Sequence, residues 1–90
     1  MRSWLITLAV AALLASNVAL AAPMKEAVAV AAAAEAAFKA GNFKLAFEKY
    51  LTARQLDPGY PDFTYNAARA AERAGLLDQA AELYQAYLDQ

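Results

Sequence analysis

The stretch Gly41-Asn42-Phe43-Lys44-Leu45-Ala46-Phe47-Glu48-Lys49-Tyr50-Leu51-Thr52-Ala53-Arg54-Gln55-Leu56-Asp57-Pro58 decides the fold. Phe43, Ala46, Phe47, Tyr50 and Ala53 recur at spacings of three and four residues. That is the period of one face of an α-helix, not of a strand. Gly41 can take the left-handed conformation that ends a preceding helix. Asn42 is expected to cap the new one. Pro58 stops it, because the residue before a proline avoids the helical region.

The same punctuation extends in both directions. Upstream, from Lys25, the residues Val30, Ala33, Ala34, Ala37 and Phe38 form a helical stripe that ends at Gly41. Downstream, Pro61 suits the first turn of a third helix and Asp62 suits its positive end. Phe63, Ala67, Ala70, Ala71 and Ala74 predict its buried stripe, and Gly75 its end. Leu77, Ala80, Ala81, Tyr84, Tyr87 and Leu88 predict the buried stripe of a fourth helix. No segment alternates as a half-buried strand does. The chain is therefore expected to be all-α, two antiparallel helical hairpins joined by a short turn.

The hairpins are in register at 34 residues: Gly41 with Gly75, Ala46 with Ala80, Glu48 with Glu82, Tyr50 with Tyr84. Periodicity alone would also fit another helical-repeat family. The turn glycine, the aromatic Phe43 soon after it, Ala46 and Ala53 with Tyr50 between them, and the closing Pro58 resemble the second half of a tetratricopeptide repeat (TPR). Tyr65-Asn66-Ala67-Ala68, Gly75, Ala80 and Tyr84 extend the resemblance to a second unit. It implies a short right-handed solenoid over residues 27–90, with repeat one at 27–60 and repeat two at 61–90, after a short segment at 22–26. It also implies close helix crossings at Ala34, Ala46, Ala68 and Ala80, with Tyr50 and Tyr84 filling space beside them. The sequence departs from the family at Val30, at Phe63 and Tyr65, which flank the usual aromatic position, and at Tyr87, where a small residue is usual. Tyr87 suggests a terminal unit.

Residues 1–21 read as a signal peptide. Arg2 precedes an apolar core from Trp4 to Leu14, Ser16 and Asn17 raise the polarity, and Ala19-Leu20-Ala21 offers the small residues a signal peptidase needs. Cleavage is expected after Ala21, with Ala22 as the alternative. Trp4 to Ala22 is also about long enough to span a bilayer if left uncleaved. The expected location is thus the bacterial periplasm, with an inner-membrane anchor as the alternative. Among 90 residues there is no cysteine, which excludes disulfides and a lipoprotein anchor, and no histidine. A formal charge of -1 gives no reason to expect nucleic acid as a partner.

No catalytic constellation emerges. Residues 22–90 contain no serine, and Thr52 and Thr64 have no adjacent base. Asp78 and Glu82 share a helix face but lack a partner group that would make them an acid–base pair. They also offer too few ligands for a metal. No enzyme activity, metal or cofactor is expected. The resemblance implies a groove lined by the first helix of each unit: Val28, Ala31, Glu35, Phe38 and Lys39, then Asp62, Tyr65, Asn66, Arg69, Glu72 and Arg73. Asn66 can bond a peptide backbone in both directions, and Arg69 and Arg73 can pair with a carboxylate. Lys39, Tyr65, Asn66, Arg69 and Arg73 are the candidate peptide-binding residues. The opposing reading is a solvated face, with Arg69 paired to Glu72 and Glu35 to Lys39. The expected function is an exported adaptor that binds a protein or peptide. The alternatives are a membrane-tethered module, should the first segment stay uncleaved, and a self-assembling subunit. The last would bury Phe43, Phe47, Tyr84, Tyr87 and Leu88 in a homo-oligomer.

Overall fold

The computed structural model describes residues 22–90. The expected signal peptide lies outside the described residues. Four helices follow one another: α1 (Lys25–Lys39), α2 (Phe43–Leu56), α3 (Pro61–Arg73) and α4 (Leu77–Leu88). There is no strand among the described residues. Each helix packs chiefly on its neighbour in sequence, and short connections make those neighbours antiparallel.

Glycine sets both hairpin turns. Gly41 and Gly75 have φ of 82° and 81°, the left-handed region that penalises a Cβ. At the first turn, the Gly41 N–H bonds the Phe38 carbonyl at 3.0 Å and the Asn42 N–H bonds the Ala37 carbonyl at 2.9 Å. At the second, Gly75 bonds Glu72 at 3.1 Å and Leu76 bonds Ala71 at 2.9 Å. This pair of bonds satisfies the orphan carbonyls of a helix end. The side chain of Asn42, in contrast, makes no capping bond. Its main chain already bridges the two helices, and φ -86°, ψ 69° is not the extended geometry of a capping residue. Leu76 adopts nearly the same angles at the equivalent place, so the turn needs the glycine and not the amide.

The core is built largely from alanine. Ala34, Ala46, Ala68 and Ala80 are all buried, as the close crossings require, with Phe47, Tyr50 and Leu83 filling the space around them. A second cluster joins Ala27, Ala53 and Phe63 across three helices. Several expectations of burial need correction. Ala33, Leu77, Ala81 and Leu88 are exposed, while Ala27, Thr64 and Leu83 are buried in their helices. Phe47 is buried, so it contributes to no outer surface. Tyr87 also lies outside the core, its ring 5.2 Å from that of Tyr65. Thr64, at the usual aromatic position, is fully buried with its hydroxyl unpaired.

Candidate functional site

Glu35, Phe38 and Lys39 lie on one face of α1 by their helical spacing, and Asn66, Arg69 and Arg73 on one face of α3. Packing of α1 on α2 and α2 on α3 brings these faces together. Glu35, Phe38, Lys39, Tyr50, Asn66 and Arg69 line one cleft of about 340 Å³. Three of the five candidate residues therefore share a cavity.

Arg73 stands beside it. Its guanidinium lies 4.5 Å from the Phe43 ring centroid and 5.5 Å from that of Phe38, and Arg69 lies 5.0 Å from Phe38. The two phenyl rings meet edge to face at 5.0 Å. Both arginines are thus oriented by aromatic faces, which attract cations through the ring quadrupole. The one ion pair among the described residues joins Lys39 Nζ to Glu35 Oε1 at 3.2 Å. Arg69 does not pair with Glu72. The carboxylate of Glu72 instead accepts a hydrogen bond from the Tyr84 hydroxyl at 2.9 Å, while the Phe38 ring holds Arg69. The two arginines have no carboxylate at ion-pair distance among the described residues.

Tyr65 is directed elsewhere. Its ring packs on Tyr84 at 5.9 Å and on Tyr87 at 5.2 Å, so it forms a tyrosine cluster at the α4 end and does not line the cleft. Tyr50 takes the place expected of Tyr65. Burial raises its hydroxyl pKa above the ordinary tyrosine value, Glu35 adds to the rise and Arg69 opposes it. The hydroxyl therefore stays protonated at neutral pH and can both donate and accept. The Tyr84 pKa is raised too, first by burial and then by its bond to Glu72.

The roles of Phe38 and Phe43 as a cation platform were not singled out from the sequence. The register carried a usable signal: Lys39 and Arg73 are equivalent positions, so Arg73 comes level with the turn that Phe38 and Phe43 flank. Asp78 and Glu82 are both exposed. Of the two, Glu82 alone borders a cleft, which lies between α2 and α4.

The family model described as Tetratricopeptide repeat matches residues 37–90. The chain belongs to the tetratricopeptide-repeat family. Repeats of this family act in general through protein–protein contacts. The matched stretch holds α2, α3 and α4 entire and begins at the last turn of α1, so it includes Lys39, Asn66, Arg69 and Arg73. Among curated proteins and among solved structures, none matches the chain.

Proposed function

We propose that this TPR chain is an exported, non-catalytic adaptor that holds an extended peptide segment of a partner protein in the cleft between α1 and α3. One observation carries this reading. Arg69 and Arg73 are held on aromatic rings without an acidic partner, beside the amide of Asn66 and the protonated hydroxyl of Tyr50. Two oriented cations with free donors suit a carboxylate, and a charge-assisted bond to each is about twice as strong as a neutral one. Asn66 then serves the peptide backbone next to that carboxylate. The bacterial periplasm is the proposed location, on the strength of the Arg2, Trp4–Leu14 and Ala19–Ala21 pattern.

The test is selection from a displayed library of short peptides, each made with a free C-terminal carboxylate and again as the amide. Enrichment of a carboxylate-bearing set that disappears with Arg69→Ala and with Arg73→Ala, while the helical circular dichroism is kept, is the expected result. Enrichment that ignores both substitutions would place the contact elsewhere. For the location, residues 1–21 fused to alkaline phosphatase should give periplasmic activity and a shortened product.

A further inference from the structure

Tyr65, Tyr84 and Tyr87 form a cluster that the cleft does not use. The Tyr65 ring meets Tyr84 edge to face at 5.9 Å and lies tilted on Tyr87 at 5.2 Å. Clustering does not bury them: Tyr65 stays 41% and Tyr87 37% exposed. Tyr84 is half-buried, and its hydroxyl is committed to the Glu72 carboxylate. The register of 34 sets Tyr65 against Ala31 and Tyr87 against Ala53. The first unit thus packs with alanine at both positions, and the hairpin does not need a ring at either. An aromatic surface held outside the core, at positions where the fold accepts alanine, is suited to contact with a ligand.

The charges around the rings select what binds there. Asp62 lies one turn before Tyr65 on the same face of α3, and Glu72 is bonded to Tyr84. α4 and its C-cap carry Asp78, Glu82 and Asp89 and no basic residue. The cation that follows Tyr65 on its face of α3 is Arg69, and its guanidinium lies over the Phe38 ring of α1. Aromatic faces attract a cation through the ring quadrupole, and nearby carboxylates add to that attraction. A lysine or arginine side chain therefore suits the surface. An apolar side chain would gain the ring contact without the charge, and a carboxylate would be repelled.

Position along α3 ties this surface to the cleft. Tyr65 precedes Arg69 by four residues and Arg73 by eight, which is about 6 Å and about 12 Å along the helix. An extended peptide covers about 3.3–3.6 Å per residue, so the interval is about two to four peptide residues. We propose that Tyr65 and Tyr87 receive a lysine or arginine side chain of the bound peptide, about two to four residues before its terminal carboxylate. The site rests on the carboxylate reading of the cleft and adds the preferred sequence of the peptide. The order Asp62, Tyr65, Arg69, Arg73 along α3 then fixes its direction, with the carboxylate toward Arg73.

The test is binding to an array of short synthetic peptides on a randomised background, each made with a free C-terminal carboxylate and again as the amide. Lysine, leucine or glutamate occupies in turn each position in that interval. The unaltered protein is compared with Tyr65→Phe, Tyr65→Leu and Tyr87→Leu, and circular dichroism checks that each variant keeps the helical fold. On the unaltered protein, lysine at one of these positions should raise affinity about two- to five-fold over leucine, the range for an exposed cation on a ring. Tyr65→Phe should keep that preference, and Tyr65→Leu and Tyr87→Leu should lose it. Binding that needs the free carboxylate but favours leucine or glutamate, or has no preference, would overturn the cation site and leave the reading of the cleft standing. A lysine preference that survives both leucine substitutions would overturn it too. A preference that depends on Tyr65 and is as strong in the amide series supports the cation site and overturns the carboxylate reading. An array that stays unbound in both forms overturns both.

Discussion

At the scale of single residues, small size at the helix crossings is the feature under strictest control. Ala46 has no exposed surface and lies in the main cluster with Ala34, Ala68 and Ala80. Ala46→Leu adds three carbons where two helices meet, and overpacking of that kind costs about 1–3 kcal/mol. The midpoint of urea denaturation should fall accordingly. Tyr50 joins core and cleft, and its titration gives a second prediction. Folded Tyr50 holds its proton to higher pH than it does in the unfolded chain, because burial and Glu35 disfavour the phenolate. Above pH about 10, where an unperturbed tyrosine ionises, unfolding releases that proton and the folded state loses stability as pH rises. Below that pH this contribution is fully present. Thermal melts across the alkaline range should show a shallower loss for Tyr50→Phe than for the unaltered protein. Which tyrosine would line the cleft was harder to read. The groove was expected from the first helix of each unit, which named Tyr65 alone; Tyr84 and Tyr87 draw Tyr65 toward α4 through contacts that no local pattern encodes, and Tyr50, expected only as packing, reaches the cleft from α2.

At the scale of elements, the order and the ends of the helices were legible because glycine and proline act locally. Gly41, Gly75 and Pro61 do what their chemistry dictates in any helical context. The buried faces were less legible on α1 and α4. α1 is so rich in alanine that several faces have the same apolarity, and the packing of α2 and α3 selects Ala27, Ala34 and Ala37 while leaving Ala33 outside. On α4 the largest residues suggested the stripe, yet the helix turns Leu83 inward and leaves Leu77 and Leu88 outside. The three glycines separate local strain from packing. A Cβ built at Gly41 or Gly59 meets nothing within 4 Å, so only the backbone distinguishes them. Gly41→Ala forces a side chain into the left-handed region, at a cost of about 1–2 kcal/mol. Gly59 has no such requirement, and Gly59→Ala should be neutral or stabilise by about 0.4–1 kcal/mol through the unfolded chain. A lowered denaturation midpoint for Gly41→Ala and an unchanged or raised one for Gly59→Ala are the expected outcome.

At the scale of the whole molecule, the chain is a short one-dimensional stack in which α2 and α3 have neighbours on both sides and α1 and α4 on one. Opening energies should follow that order. α4 buries only Ala80 and Leu83, against six residues in α3, so its amides should exchange through the lowest-energy opening. α1 and α4 are both tied to the α2–α3 connection: the Met24 N–H donates to the Asp57 carboxylate at 2.8 Å, and the Gln90 side-chain amide just beyond α4 donates to the Pro58 carbonyl at 3.1 Å. Asp57→Ala removes the first acceptor at an exposed site, where one hydrogen bond contributes about 1 kcal/mol or less. Hydrogen exchange in the dilute protein should then quicken in the first turn of α1 and leave α4 unchanged.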